Sequence, residues 1–173
     1  MTHHRRLSKR LSYVLRHQPD SVGLALDREG WVDVPSLLDA LRVDREALEA
    51  AVRDDDKQRF ELRCDRIRAQ QGHSTPVDLG LAPARPPDRL WHGTAEHVLP
   101  AVLREGLRPG RRTHVHLSPD PVTARRVGAR HGRPVVLVVD AVGAWRAGQV
   151  FLLSGNGIWL TDALRPAYLN RQE

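Results

Sequence analysis

At 173 residues the chain is long enough to bury one mid-sized core or two small ones. Its net charge of +6 and its excess of arginine over lysine fit a polyanionic partner, although the codon bias of a GC-rich genome gives the same composition. The single cysteine, Cys64, excludes an internal disulfide and a cysteine-rich zinc site. No apolar run approaches the ~18 residues that span a bilayer. The basic residues 1–6 lead into an amphipathic segment and lack the pattern of a secretory signal. We therefore expect a soluble, cytoplasmic protein without a membrane partner.

Three short helices are predicted in the first part of the chain. Pro19 ends the first helix, because a proline disfavours helical backbone in the residue before it. Pro35 opens the second helix, and Asp44 is the predicted N-cap of the third. The apolar positions that recur at helical spacing are Leu7, Leu11, Val14 and Leu15, then Val34, Leu37, Leu38 and Leu41, then Leu48, Ala51 and Val52.

A predicted hairpin follows these helices. Phe60, Leu62 and Cys64 alternate with polar residues, which is the period of a strand, and residues 65–66 are expected to turn it back into a second strand. With a short extended segment at residues 30–32, three helices and a hairpin outline a winged helix, a fold often used on nucleic acid. We therefore expect a winged-helix-like lobe over residues 1–75.

The composition and periodicity of the sequence change after this lobe. Residues 76–88 are rich in proline, lack periodicity and are predicted to be a linker. Residues 89–173 are predicted to form a mixed α/β lobe, so the fold class is α+β. No GxGxxG motif is present, which excludes a Rossmann dinucleotide site. The predicted strands are 90–92, 115–117, 134–140, 150–153 and 158–161, and the predicted helices are 95–104, with Leu103 inward, and 121–130.

Basic residues that could hold phosphate occur in three segments. Arg16 and His17 end the first helix, where they could either bind an anion or complement the helix dipole. Arg66 and Arg68 share a face of the predicted hairpin, where a solvated edge strand is the alternative. Arg130 lies at the end of the helix at residues 121–130, again with dipole capping as the alternative.

A second group of polar residues lies in the α/β lobe. His92 precedes Gly93 and Thr94 at a strand end, where backbone can approach a ligand and the ring can bind a sugar hydroxyl. His114 and His116 share a strand face, but no cysteine or acidic residue follows at a ligand spacing. We therefore expect no metal site.

These segments occur in the order found in a known family. The matching stretches are LSYVLRHQP, residues 30–38, IRAQQGHS, LWHGT, HVHLS, VGARHGRPVVLVVD and SGNGIWLT. Along nearly its whole length the chain resembles the RNA 2′-phosphotransferase family. The resemblance implies a winged-helix-like RNA-binding lobe and an NAD-binding lobe like that of ADP-ribosyltransferases, with no metal.

The resemblance also assigns site residues. It places the catalytic set at Arg16, His17, Arg68 and Arg130, with Arg125 and Arg126 open as alternatives to Arg130. A third ADP-ribosyltransferase position, non-acidic here, would lie near residues 149–150. The residues expected to bind NAD are His92, Gly93, Thr94, His116, Ser118, Ser154, Asn156 and Gly157. For the turn at residues 154–157, a simple hairpin is the alternative.

The implied reaction consumes NAD⁺ as a co-substrate. An internal RNA 2′-phosphate displaces nicotinamide to give an ADP-ribosylated 2′-phosphate, and the ribose 2″-hydroxyl then takes the phosphoryl group. The products are 2′-OH RNA, ADP-ribose 1″,2″-cyclic phosphate and nicotinamide, and a tRNA-like splice junction is the family's source of the 2′-phosphate. Two other interpretations remain: an ADP-ribosyltransferase acting on phosphorylated nucleic-acid ends, and a winged-helix regulator with a small-molecule sensor lobe.

Overall fold

The computed structural model describes residues 3–171, so residues 1–2 of the basic N-terminus and residues 172–173 of the second predicted lobe lie outside it. The chain divides into two compact units, Met1–Gly80 and Leu81–Glu173. Each unit has its own apolar core. Helices and small antiparallel sheets occur in both units, and the fold class is α+β. None of the helices within residues 3–171 has the length and apolar character needed to cross a membrane.

The first unit contains the three helices expected from the sequence. Its elements are α1 (His3–Arg16), a 3₁₀ turn (Pro19–Val22), β1 (Trp31–Asp33), α2 (Val34–Leu41), α3 (Arg45–Arg53), β2 (Phe60–Arg63) and β3 (Arg66–Ala69). The predicted N-cap is confirmed, because the Asp44 carboxylate accepts a hydrogen bond from the Ala47 N–H at 2.7 Å. The three strands form one antiparallel sheet in the order β1-β3-β2.

The apolar face of α1 forms the centre of this first core. Leu11 and Leu15 are fully buried, and Leu7 and Val14 are nearly so. Burying a leucine side chain stabilises a fold by roughly 1.5–3 kcal/mol, so this face fixes the rotation of the helix about its own axis. The opposite face of α1 is therefore left in solvent, and the C-terminal end of the helix is set against the chain around residues 72–75.

The hairpin turn differs by one residue from the sequence-based expectation. Cys64 was expected on the first strand, but its φ of 49° takes the backbone out of the extended region after Arg63. Arg63 pairs with Arg66 across the turn, and Cys64 and Asp65 form the loop between them. Cys64 is consequently exposed instead of alternating into the core.

The second unit consists of two three-stranded antiparallel sheets and three helices within its described part. Its elements are β4 (Arg89–Ala95), a 3₁₀ turn (Glu96–Val98), α4 (Leu99–Glu105), β5 (Val115–Leu117), α5 (Pro121–Gly128), β6 (Pro134–Asp140), α6 (Ala141–Arg146), β7 (Phe151–Leu153), β8 (Trp159–Thr161), a 3₁₀ turn (Pro166–Tyr168) and β9 (Leu169–Arg171). The apolar strand β6 is central, as predicted, in the order β4-β6-β9. The other sheet has the order β5-β8-β7. Reciprocal backbone hydrogen bonds between Trp91 and Ser118, at 3.0 and 2.7 Å, connect the two sheets.

The helix predicted over residues 95–104 is shorter and begins later. Pro100 has no N–H to donate to the carbonyl of Glu96, so a 3₁₀ turn precedes α4 and the α-helix starts at Leu99. Leu103 was expected to face inward and instead leaves 45% of its surface exposed. The helix α6 and the strand β9 were not predicted. Each is short, and neither carries a periodic pattern long enough to be read from the sequence.

The segment predicted to be a linker is hydrogen-bonded at both of its ends. The Asp78 N–H donates to the carbonyl of Arg28 at 2.8 Å, within the first unit. The Ala84 N–H donates to the carbonyl of Phe151 at 2.8 Å, within the second. The division between the compact units falls between these anchors, at Gly80.

Candidate functional site

The pair Arg16–His17 is held by the chain segment that follows β3. The carbonyl of Arg16 accepts a hydrogen bond from the Ser74 N–H at 2.9 Å, and His17 Nδ1 is hydrogen-bonded to Ser74 Oγ at 3.0 Å. At Gly72, which has a φ of +90°, a Cβ would lie 3.5 Å from Cζ of Arg16. The segment therefore packs its backbone against the guanidinium and orients the imidazole through the neighbouring hydroxyl.

Arg68 is fixed on the hairpin by three kinds of contact. Its guanidinium stacks on Trp31, with Cζ 4.5 Å from the ring centroid. Its Nε donates to the carboxylate of Glu61 at 2.8 Å, and its Nη1 donates to the backbone carbonyls of Leu79 at 3.2 Å and Glu29 at 3.3 Å. A guanidinium held in this way keeps one orientation, which preorganises it for contact with an anion.

Arg66 shares this face of the hairpin, as the sequence predicted. Its guanidinium also lies over Trp31, at 5.5 Å from the ring centroid, and it pairs with Asp27. Asp27 accepts further hydrogen bonds from the backbone of Trp31 and Glu29. Burial acts to raise the pKa of the Asp27 carboxyl, but these hydrogen bonds and the pairing with Arg66 outweigh burial, so the pKa is lowered from its usual value. Arg66 is thus tied into a structural ion pair.

His73 is a buried histidine whose pKa is affected by the predicted catalytic residues of the first unit. The side chain is fully buried, and neither ring nitrogen has a hydrogen-bond partner within residues 3–171. Burial, followed by the positive charges of Arg16, His17 and Arg68, lowers the pKa of His73 to about 4. The ring is therefore neutral at physiological pH. It therefore adds no charge of its own near Arg16, His17 and Arg68.

Arg130 lies in the second unit, just after the end of α5. Its backbone N–H donates to the carbonyl of Val127 at 3.2 Å, and its side chain is exposed. Arg125 and Arg126, on the last turn of α5, are exposed as well. The choice of Arg130 over these two arginines remains a prediction.

His92 is placed by the junction of the two sheets of the second unit. Its Nδ1 lies 3.0 Å from the carbonyl oxygen of His116, which can only accept, so Nδ1 carries the proton. Burial lowers the pKa of His92, and the charge of Arg112 lowers it further, against the opposing effect of the hydrogen bond to His116. A neutral ring protonated on Nδ1 offers Nε2 as an acceptor, which suits a donated sugar hydroxyl.

The glycine after His92 has a packing role. A Cβ on Gly93 would lie 1.7 Å from the carbonyl oxygen of Ala124 and 2.9 Å from the nitrogen of Gly128. The backbone of α5 thus rests directly on β4 at this point, which explains why a side chain is excluded at Gly93. Thr94 and Ser118 are buried beside this contact. His92, Gly93, Thr94, His116 and Ser118 are consequently neighbours at the β4–β5 junction.

The turn between β7 and β8 is closed by its own serine. Ser154 is buried, and its Oγ lies 2.7 Å from the carbonyl oxygen of Ile158 and 2.8 Å from Oδ1 of Asn156. The Ile158 N–H donates back to Ser154 Oγ at 3.1 Å. Gly157 has a φ of 78°, which glycine adopts without strain. These contacts give Ser154 a structural role in the turn, whatever Asn156 and Gly157 bind.

An amide occupies the neighbourhood expected for the third position of the ADP-ribosyltransferase pattern. Gln149 Nε2 donates to Thr161 Oγ1 at 2.8 Å, and that hydroxyl donates to the carbonyl of Val150 at 2.6 Å. His114 hydrogen-bonds to the adjacent Thr113 hydroxyl. Within residues 3–171 no three histidine, cysteine or acidic side chains are grouped as a metal site requires.

Several residues at these sites were not singled out from the sequence. Trp31, Glu61 and His73 surround the predicted arginines, Ser74 contacts His17, and Arg112 acts on the pKa of His92. Gly72, His73 and Ser74 belong to the matched stretch IRAQQGHS, so the stretch itself was the available signal. Which of its members face Arg16 follows only from the folding of the chain.

The first unit therefore places the segment that contains the buried His73 against Arg16 and His17, with Arg68 on the adjacent hairpin, and guanidinium groups are able to bind phosphate. The model of the RNA 2′-phosphotransferase, Tpt1 / KptA family matches residues 2–163. The "Probable RNA 2′-phosphotransferase" of Agrobacterium fabrum is 54% identical over 94% of this chain and 91% of its own length. Proteins of the same description from Streptomyces griseus and Nostoc punctiforme are 52% and 45% identical, over 95% and 96% of this chain and 94% and 96% of their own lengths. The chain belongs to the RNA 2′-phosphotransferase family.

Proposed function

We propose that this protein is an NAD-dependent RNA 2′-phosphotransferase. It removes an internal 2′-phosphate from RNA and yields 2′-OH RNA, ADP-ribose 1″,2″-cyclic phosphate and nicotinamide. Family membership supports the RNA 2′-phosphate as substrate. The observation that carries the proposal is the packing of residues 72–74 against Arg16 and His17, with Arg68 held on the adjacent hairpin by Trp31 and Glu61. A tRNA-like RNA is the expected substrate, and both substrates belong to the cytoplasm, where we infer that the enzyme works.

The arginines hold and neutralise the transferring phosphate. Phosphoryl transfer needs little covalent chemistry from the protein and depends on positioning and on cancelling negative charge. Arg68, fixed by Trp31 and Glu61, presents a preorganised guanidinium, so little reorganisation accompanies phosphate binding. Arg16 lies at the end of α1. Arg130 is proposed as the last catalytic arginine because the family resemblance implies it, with Arg125 and Arg126 as alternatives.

His17 is proposed as the proton donor or hydrogen-bond partner of the phosphate. An imidazole ring can donate or accept a hydrogen bond through its nitrogens, so His17 is suited to either task. The hydrogen bond between Ser74 Oγ and Nδ1, at 3.0 Å, orients the ring of His17. A phosphate nucleophile is already an anion and needs no general base, which agrees with a non-acidic third position near residues 149–150, where ADP-ribosyltransferases normally have glutamate.

The NAD⁺ site is proposed at the β4–β5 junction. The neutral ring of His92 offers Nε2 to a ribose hydroxyl, and Gly93, Thr94, His116 and Ser118 lie around it. The turn with Ser154, Asn156 and Gly157 is proposed to border the same ligand. Bound NAD⁺ would supply the electrophilic ribose carbon and the hydroxyl that takes the phosphoryl group.

The two units fit the lobes that the resemblance implies. In the first unit, three helices precede a hairpin whose strand β3 also pairs with β1, which is the element order of a winged helix. In the second, the sheets β4-β6-β9 and β5-β8-β7 join at Trp91 and Ser118, beside His92. We infer a winged-helix-like RNA-binding lobe and an ADP-ribosyltransferase-like NAD-binding lobe.

The test is incubation with NAD⁺ and an RNA that carries one internal 2′-phosphate, with RNA and nucleotide products both resolved. We expect 2′-OH RNA together with ADP-ribose cyclic phosphate. Accumulation of ADP-ribosylated RNA without cyclic phosphate would favour an enzyme that modifies phosphorylated ends. Absence of nicotinamide release, with RNA binding that responds to a small molecule, would instead favour a regulator.

A further inference from the structure

The solvent face of α1 carries a line of side chains that leads to the predicted catalytic histidine. Arg6, Lys9 and Tyr13 follow one another at spacings of three and four residues, and His17 comes four residues after Tyr13. Residues at these spacings lie on one face of a helix. Arg6, Lys9 and Tyr13 are exposed, and we call these three residues the α1 stripe.

Arg10, on the same helix, has a structural hydrogen bond to the neighbouring helix. Its Nη1 donates to the carbonyl of Leu41 at 2.9 Å and so satisfies the C-terminal end of α2. The α1 sequence contains no acidic residue, so the stripe lies in a uniformly positive helix. Such a surface attracts a polyanion along its whole length.

Tyr13 is the exposed aromatic residue of this positive face. It leaves 52% of its surface in solvent, although tyrosine usually buries its ring. The ring centroids of Tyr13 and His17 are 6.4 Å apart, and the rings are tilted by 56°. A flat ring with cations on one side and the phosphate-binding histidine on the other is the arrangement that proteins use for single-stranded nucleic acid.

We propose that the α1 stripe is a track for single-stranded RNA beside the reacting phosphate. The base of a nucleotide adjoining the 2′-phosphorylated one stacks on Tyr13, and backbone phosphates contact Lys9 and Arg6. The position of the reacting phosphate at Arg16 and His17 rests on the proposed function. The track gives the enzyme an RNA contact that depends on a neighbouring base and is independent of that base's identity, because every base has a stacking face.

The test compares Tyr13→Leu and Tyr13→Phe on matched RNAs. One RNA carries an internal 2′-phosphate with all bases intact, and two others are abasic on the 5′ or the 3′ side of that nucleotide. Stacking on an aromatic side chain is worth about 1–3 kcal/mol per base, so we expect Tyr13→Leu to raise KM for intact RNA about tenfold. Tyr13→Phe should retain wild-type KM. On the RNA that lacks the stacked base, wild type and Tyr13→Leu should become equal.

Either of two results overturns the track. Tyr13→Leu could leave KM for intact RNA unchanged, or it could weaken the intact and both abasic RNAs by the same factor, as a merely structural role predicts. Binding of the same RNAs measured by fluorescence anisotropy without NAD⁺ separates this inference from the proposed function. If Tyr13→Leu lost binding only to RNA with the stacked base, and the wild type showed no turnover, the track would stand and the proposed activity would be rejected. If the wild type turned over the RNA and Tyr13→Leu showed no such loss, the activity would stand and the track would be rejected.

The charged part of the stripe has a matched control in Arg53, an exposed arginine on α3. We expect Lys9→Ala and Arg6→Ala each to reduce the slope of log K against log salt by about one, as the loss of a phosphate contact does. Arg53→Ala should leave the slope unchanged. If Lys9→Ala, Arg6→Ala and Arg53→Ala all gave the same slope of log K against log salt, the RNA would not bind along the α1 stripe.

Discussion

At the scale of single residues, the arrangement around Arg68 separates a held guanidinium from a solvated one. Arg63 also lies over Trp31, at 5.7 Å, and also pairs with Glu61, but 70% of its side chain is exposed against 12% for Arg68. The two arginines share partners and differ in burial. They therefore form a matched pair for testing the phosphate contact.

We expect Arg68→Ala to lower the rate of phosphoryl transfer by about 100-fold or more, as the loss of a preorganised donor does. Arg68→Lys should recover only part of the rate, because an ammonium cannot make the paired contacts of a guanidinium. Arg63→Ala should stay within a few-fold of wild type. Single-turnover assays that follow nicotinamide release and RNA product separately measure both steps, with circular dichroism as the check on folding. Full speed in both steps for Arg68→Ala would contradict the proposal that Arg68 holds the transferring phosphate.

The buried ring of His73 makes stability depend on pH. Its pKa is about 4 in the folded protein and near 6.5 in the unfolded chain, so the unfolded state binds the extra proton between these values. Stability is thus complete above about pH 6.5 and falls as the pH drops towards 4, by at most roughly 3 kcal/mol from this group.

The comparison is His73→Gln, which cannot titrate. The free energy of urea unfolding, measured at pH 7 and pH 4.5, should fall less for this variant than for the wild type. The lowered pKa of His92 acts in both proteins and cancels in the comparison. Equal losses in the two proteins would show that His73 titrates normally.

At the scale of elements, the contact between α5 and β4 organises the second unit. Gly93 and Gly128 face each other without side chains, so the helix backbone approaches the strand closely. This contact holds the last turn of α5, which contains Arg125 and Arg126, against β4. Close packing of the α5 backbone thus excludes a side chain at the position after His92.

We expect Gly93→Ala to destabilise the protein by more than the 1–3 kcal/mol typical of overpacking, because the new Cβ would overlap the Ala124 carbonyl. Gly110→Ala is the control: a Cβ there meets nothing within 4 Å, and its φ of 65° adds only the left-handed strain of about 1–2 kcal/mol. Thermal unfolding of both variants decides the matter. A Gly93 variant as stable as the Gly110 variant would mean that the helix can shift at no cost.

At the scale of the whole molecule, the positive charge is unevenly used. Several arginines are neutralised in ion pairs, such as Arg66 with Asp27 and Arg59 with Asp55, whereas α1 has no acidic residue along its length. The net charge of +6 is therefore not spread evenly: surfaces with ion pairs are less positive than this average, and α1 is more positive. Charge at the right place, more than total charge, determines where a polyanion binds.

RNA affinity should accordingly fall steeply with salt, because phosphate contacts release counterions. An RNA with an internal 2′-phosphate should bind more tightly than the same RNA with a 2′-hydroxyl, and with a steeper salt dependence. Anisotropy titrations between 50 and 200 mM salt, a range over which such contacts lose ~10³-fold or more, measure both slopes. Binding that is insensitive to salt would contradict recognition through the RNA backbone.

Much of the local structure could be predicted from the sequence because it depends on near neighbours. The apolar stripe of α1, the cap at Asp44 and the central strand β6 follow from periodicity and hydrogen-bonding chemistry alone. The family followed from the order of short motifs, and the positions of Arg16, His17 and Arg68 followed from the family.

Only the tertiary structure decided which of these residues meet. The turn at Cys64 depends on a backbone angle. The exposure of Leu103 depends on where α4 begins, which is set by Pro100. The segment around His73 contacts Arg16 and His17, which lie about 57 positions earlier in the chain. No local pattern records such distant contacts, since they arise from burying two separate cores. The sequence alone therefore determined the chemistry of the side chains. Long-range packing determined that the neutral His73 is buried near Arg16 and that the backbone of α5 packs against Gly93.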